Sequence, residues 1–326
     1  MTPEQRCDIR PVIQFKEYEM FALSIAAALA AAQPAPAAPD ASPVEEDIVV
    51  TGELPETEHE KIKSVVSALA DEPTKGQIAR FHRPICPFIV GLPKPQADAL
   101  AARMRRVASA VGIGEADAQC DANLMLVIAE DRDAVFKELR RDHRKIFWGM
   151  EPADIRRIQR TEGPVAAWQV VVQADRDLDA LPVDSLNGYT VNESMQDPSR
   201  IRSTSRPDTR AAVVVIDADA ATGLSVEQLA DHALMRAMVK MDKADVGRLS
   251  TPSILHLFTD LEETGEAPAS LTQYDAAFLE ALYSTSNVYF AYKQRAEMRD
   301  AMTQALSEYY DKAGVEPDAE ADAPAE

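Results

Sequence analysis

The chain has 326 residues, 46% hydrophobic and 27% charged, which supports a sizeable core in one large domain or two small ones. Its 54 acidic residues against 34 basic ones leave a formal charge of −20. That balance repels phosphate backbones and anionic membrane surfaces, and it excludes nucleic acid from the expected partners.

The first feature along the chain is "MFALSIAAALAAA", Met20–Ala32, whose apolar core of 12 residues runs from Phe21 to Ala32. It is too short for a bilayer core, which needs about 20 residues, so no transmembrane span is expected. Its length and the small residues at its end match the core and cleavage site of an export signal. The preceding stretch carries both signs of charge, so the start of translation lies at Met1 or at Met20. The expected organisation is a presequence over 1–32 and a disordered linker over 33–78. One globular domain follows over 79–310, and an acidic disordered tail, "EPDAEADAPAE", closes the sequence within 311–326. Export places the protein in the periplasm or outside the cell. In that oxidising setting Cys7 leaves with the presequence, and Cys86 and Cys120 are expected to form a disulfide. Two unpaired buried thiols are the alternative. Closing a loop of roughly 35 residues contributes about 4 kcal/mol by the loop-entropy relation.

Within the domain, "FHRPICPFIVGLP" reads as an edge strand or an irregular entry segment, because three prolines flank its apolar core. "PQADALAARMRRVASAVGI" follows with a helical stripe at Leu100, Met104, Val107, Ala108 and Val111. Ala122–Asp131 has strand length and composition, and Asp133–Phe147 reads as a helix with Val135, Phe136 and Leu139 on one side. Gly163–Asp177 is a second strand. The polar run Leu186–Arg210 holds a loop and an edge strand near Arg200–Ser205, hairpinned into "RAAVVVIDADA". From there on the pattern is helical: Ser225–Met241, Pro252–Glu262, Thr272–Tyr283 and Val288–Ser307. Together these predict an α+β fold, a mixed small sheet with packed helices and a helical C-terminal half.

The helix "SVEQLADHALMRAM" follows the last strand, where a zinc peptidase carries its metal ligands. In H-E-x-x-H two histidines one turn apart bind zinc, and the glutamate between them acts as base. On that template His232 is the second histidine, Gln228 takes the place of the first and Leu229 that of the base. Glutamine is a weak ligand, leucine accepts no proton, and one imidazole does not hold zinc. His232 also lies about 140° from the middle of the apolar stripe at 100° per residue, which predicts a partly exposed helical histidine. Ser225 and Gln228 form a capping box at the start of the helix. His256 lies 24 residues further on with no acid spaced to complete a ligand set, so no metal and no cofactor are expected. His232, His256 and Asp217 remain weak catalytic candidates, to be judged by whether the fold brings them together. Asp217 and Asp219 are a second possible carboxylate pair. There is no G-x-S-x-G elbow, and Gly112 and Gly114 lack the rest of a phosphate-cradling turn. The aromatic residues of "LTQYDAAFLEALYSTSNVYFAYKQ" have the spacing of a core stripe.

Taken as a set, "RPICPFIVGLP", "NLMLVIAED", "AAVVVIDADAATGLSVEQLADHALMR", "SILHLF" and "LTQYDAAFLEALY" resemble uncharacterised exported proteins of sphingomonad-type alphaproteobacteria, over roughly residues 80–300. More remotely, the order is similar to zincin-like metallopeptidase folds, in which an L-x-x-x-D-x-x-x-L-x-x-L-Y helix packs behind the metal helix. Leu271, Asp275, Leu279, Leu282 and Tyr283 match that second element. The resemblance implies a pseudo-peptidase: an exported, non-catalytic binding or envelope-associated factor whose partner, protein or small molecule, the sequence leaves unnamed. A hydrolase with an unrecognised active site is the alternative.

Overall fold

The computed structural model describes residues 56–70, 76–117, 119–175, 177–182, 203–241 and 246–314. The stretch expected as a presequence, most of the expected linker, residues 315–326 of the expected tail and the 200–202 part of the expected edge strand lie outside them, while 311–313 of the expected tail are the last residues of a helix. Among the described residues the fold is mixed α+β, with nine helices and a four-stranded sheet.

The helices and strands alternate through the first half. Helix α1 (Glu56–Leu69) precedes strand β1 (Pro87–Val90), helix α2 (Lys94–Ala110) and strand β2 (Leu124–Ala129). Helix α3 (Arg132–Asp142), a 3-10 turn at Arg144–Phe147 and helix α4 (Pro152–Gln159) lead into strand β3 (Val165–Ala174) and strand β4 (Arg206–Asp217). Then come the short α5 (Ala218–Ala221), α6 (Val226–Met238), a 3-10 turn at Ile254–His256, α7 (Leu257–Glu263), α8 (Gln273–Ser284) and α9 (Ala291–Ala313).

The sheet order is β1-β2-β4-β3, with β1, β2 and β4 parallel and β3 antiparallel to β4 at one edge. Both faces are covered, which is why β2 and β4 read as unbroken apolar runs. Leu124, Leu126, Ile128, Ala212, Val214 and Ile216 face α2, α6 and the C-terminal helices. Met125, Val127, Val213 and Val215 point the other way, onto Phe136, Phe147 and Trp168. Those three rings lie within 5.0–6.1 Å of one another, Phe147 stacked on Trp168 and Phe136 tilted against both, and Trp168 Nε1 donates to Ile146 O at 2.9 Å. The predicted α2 stripe is buried at all five positions. Between β1 and α2 the chain turns at Gly91, where φ is +92° and a Cβ would stand 1.9 Å from Ile128 O, so only glycine fits.

Three sequence expectations differ from what is seen. Residues 203–205, expected in an edge strand hairpinned into β4, are in no strand, and Arg206–Asp208 are the first residues of β4 itself, paired with the end of β3. The segment expected to be linker through residue 78 contains α1, whose Ile62, Val65, Val66 and Leu69 are in the main core. Helix α4 is absent from the expected elements; it is only eight residues long, and its Ile155 and Ile158 pack half-buried against the second core cluster. The predicted cysteine pair is a disulfide: Cys86 and Cys120 are bonded, with Cα atoms 5.9 Å apart across a separation of 34 residues. The bridge ties the segment entering β1 to the one entering β2, which are neighbours in the sheet. Replacing both cysteines with serine should lower the unfolding free energy by about 4 kcal/mol. Urea titration of the oxidised protein and the double variant measures this, and coincident curves would rule it out.

Candidate functional site

Helix α6 sits beneath the sheet, packed against α2, β4, β3 and the 254–256 turn. Ser225 Oγ accepts from Gln228 N at 3.1 Å and Gln228 Oε1 accepts from Ser225 N at 3.1 Å, which completes the predicted capping box. Gln228 Nε2 also donates to Pro268 O at 3.1 Å. The side chain at the first ligand position is thus spent on two backbone contacts. Leu229, at the base position, is part of the core.

His232 is not partly exposed. It is 2% exposed, with its ring edge-on to Phe258 at 4.9 Å, and its Nδ1 has no hydrogen-bond partner. Burial, and secondarily the Arg236 cation one turn on, push its pKa down to about 3, so the imidazole is neutral throughout the physiological range. Every residue of α6 from Leu229 to Met238 is buried. An apolar stripe marks the buried face of a helix only when the opposite face is wet, and here neither is.

The other candidates are placed apart in their contacts. His256 precedes α7 and has its Nε2 3.3 Å from Val246 O. Asp217 ends β4, opposite Ala129, and its backbone N donates to Pro164 O at 2.9 Å. None of the three candidates bonds to another. Among the described residues no three His, Cys, Asp or Glu side chains are grouped to hold a metal ion.

The charged groups that are buried hold the scaffold together. Asp231, fully buried on α6, accepts from Arg103 Nε and an Nη of Arg103 at 2.8 and 2.7 Å, and from Leu271 N at 3.0 Å. That one carboxylate joins α2, α6 and the entry to α8 in a bidentate pair. Asp275, the aspartate of the second resemblance element, accepts from Ser253 Oγ at 2.6 Å, Ile254 N at 2.8 Å and both Thr272 N and Oγ1 at 3.0 Å. Burial raises its pKa and these four donors oppose the shift. Asp208 on β4 lies 2.7 Å from Arg210, 3.1 Å from Arg83 and 3.3 Å from His82, fastening the segment before β1 to the sheet. On α1, Glu58 accepts from Tyr274 Oη at 2.7 Å and from Lys61 at 2.6 Å, and burial raises the Tyr274 pKa.

One concave surface has the makings of a binding site. A groove of about 340 Å³ runs between α4, the edge strand β3 and the C-terminal end of α6. Trp148, 62% exposed, forms one wall, with Met150, Ile158 and Met241 as further apolar lining. Among the described residues its lining includes the cations Arg157, Arg236 and Lys240 and the carboxylate of Asp154, which pairs with Arg157 at 3.1 Å. Gln169 fixes the groove floor: from β3 its Nε2 reaches the carbonyl oxygens of Arg236, Ala237 and Val239 at 3.0–3.3 Å, closing the end of α6. Sequence reasoning missed these residues. The sign that was present was the aromatic–glycine step Trp148-Gly149 after a helix; what joins it to Lys240 is tertiary. A second groove of about 420 Å³, between α1 and α9, has mixed charges that do not converge on any chemistry.

Comparison with protein-family models, with curated proteins and with solved structures finds no match to this chain.

Proposed function

We propose that this is an exported factor that acts by binding rather than by metal-dependent hydrolysis, on a scaffold related to zincin-like metallopeptidases. The observation that carries the reading is the helix after the last strand. Its first ligand position is a capping glutamine, its base position a core leucine, and its one histidine is enclosed beside a phenylalanine. The position of α6 after β4 agrees with the resemblance, and so does Asp275, which anchors the start of α8 to the 253–254 segment. The export signal in the sequence, the Cys86–Cys120 disulfide and the lack of any membrane-crossing helix among the described residues support a periplasmic or extracellular location.

The alternative, a hydrolase built on His232, His256 and Asp217, has less support, because a neutral imidazole closed off from solvent cannot exchange a proton with substrate. The test is elemental analysis of the purified protein after dialysis, with a casein digestion assay beside it. The expected result is substoichiometric zinc and no hydrolysis. One zinc per chain, or hydrolysis abolished by His232→Ala, would replace the binding reading with the enzyme one.

A further inference from the structure

We infer that the Cys86–Cys120 disulfide is a reversible redox site: a dithiol reductant opens it at Cys120, and opening releases the loop between α2 and β2 while the sheet stays in register. This goes beyond the binding reading above and does not rest on it.

The two strand entries are joined beside the bridge by Asn123. Its Oδ1 accepts from Cys86 N at 2.7 Å, and its Nδ2 donates to Pro84 O at 2.9 Å. Cys86 O accepts from Asn123 N at 3.1 Å and from Leu124 N at 3.3 Å, next to the Pro87–Leu124 pair that begins the β1–β2 register. None of these bonds needs the sulfurs. The bridge lowers the entropy of the unfolded chain, so losing it costs stability without loosening the native sheet. The loop depends on it more directly. Ile113 still packs against the main core, but residues 114–117 and 119–122 make no hydrogen bond or ion pair to another element apart from the bridge itself. Their one backbone bond is internal, from Cys120 N to Asp117 O at 3.1 Å. Ala116 and Ala122 belong to neither hydrophobic cluster. Glu115, Asp117 and Asp121 place like charges in this short stretch, and their repulsion favours an extended loop once the tether is gone.

Exposure sets the direction of attack. Cys86 is 5% exposed, whereas Cys120 is half-buried between exposed Gln119 and Asp121. Thiol–disulfide exchange depends on access to the attacked sulfur, which favours Cys120. The thiolate of the reductant bonds to Cys120 Sγ, the S–S bond breaks, and its electron pair leaves on Cys86 Sγ, which takes up a proton. The second thiol of the reductant then attacks its own sulfur in the mixed disulfide. Cys120 leaves as the thiolate and is protonated. Two electrons and two protons pass from the dithiol to the protein, and the dithiol ends as a disulfide. Cys86 keeps its place through Asn123, so an oxidant closes the bond again when the loop returns.

The test uses the full chain carrying Cys7→Ser, so that thiols arise only from the bridge. Dithiothreitol without denaturant is expected to reduce the bond while the tryptophan emission of the folded protein is kept. With 2-mercaptoethanol and rapid alkylation by iodoacetamide, peptide mass spectrometry is expected to find the mercaptoethanol adduct on Cys120 and the alkyl group on Cys86. After reduction and alkylation, glutamyl endopeptidase should cut after Glu115 about tenfold or more faster than in the oxidised chain, since a tethered loop must open before it is cut. Its rates at glutamates in the helices should not change. The double variant Cys86→Ser, Cys120→Ser should be cut after Glu115 at the fast rate with or without reductant. A bond reduced only in urea, an adduct on Cys86, an unchanged rate after Glu115, or acceleration spread over all sites would each overturn the inference.

Discussion

Replacing His232 with leucine is expected to make the protein markedly less sensitive to acid. The imidazole pKa falls from its ordinary 6.5 to about 3 on folding, so the unfolded chain binds a proton that the native state refuses. The stability tied to this group is therefore complete above pH 6.5. It declines as the pH falls through the interval down to about 3 and is gone below it. Between pH 7 and pH 5 the wild type should lose about 2 kcal/mol through this one residue, at 1.36 kcal/mol per pH unit below 6.5. Leucine has a similar volume, can fill the space against Phe258, and removes the unpaired Nδ1. The measurement is the urea midpoint and slope of both proteins at the two pH values. Carboxylates common to both, Asp275 among them, cancel in the difference. Parallel losses in wild type and variant would mean that His232 is solvated and the reading of α6 as fully enclosed is wrong.

The second large effect is expected at Asp275. Alanine there strips the acceptor from Ser253 Oγ, Ile254 N and Thr272 N at once, in a site where water does not replace it, while Thr272 Oγ1 keeps Pro252 O at 2.9 Å. An orphaned buried donor costs about 1 to 3 kcal/mol, so with Ser253 Oγ and Ile254 N both orphaned a total on the order of 3 kcal/mol is expected, although the cap from the backbone N of residue 275 to Thr272 Oγ1 is kept. The variant Asp275→Asn keeps one acceptor oxygen and should recover part of the loss. Thermal unfolding of the three proteins tests this. A loss in Asp275→Ala of under about 1 kcal/mol would show that the carboxylate is not what joins α8 to the 253–254 segment.

Much of the architecture was legible in the residues. The α2 stripe, the strand lengths of β2 and β3, the apolar run of β4, the capping box of α6 and the cysteine pair all rest on local periodicity or spacing, and each appears in the fold. Helix α1 was legible too: Ile62, Val65, Val66 and Leu69 have the i, i+3, i+4, i+7 spacing of a buried face, obscured by the low-complexity sequence before it. His232 was not, because its exposure was inferred from the apolar stripe of its own helix. Periodicity reports which face of a helix is most apolar and cannot report that a second layer, carrying Phe258 and the 254–256 turn, covers the other one. The groove was invisible for a related reason. Trp148, Gln169 and Lys240 are far apart along the chain and meet only because β3 pairs antiparallel with β4 at the sheet edge over the end of α6.

The sequence by itself determined that the helix after the last strand lacks the H-E-x-x-H residue set, since that is a property of the residue types at 228, 229 and 232. It also determined the cysteine pair and the class of fold, through spacing that needs no partner to be read. Only the tertiary structure decided that His232 is neutral and enclosed, that Asp231, Asp208 and Asp275 are fasteners, and that a groove opens between α4, β3 and the end of α6. Burial, charge pairing and concavity depend on which distant segments share a surface, and the strand order β1-β2-β4-β3 is what sets that.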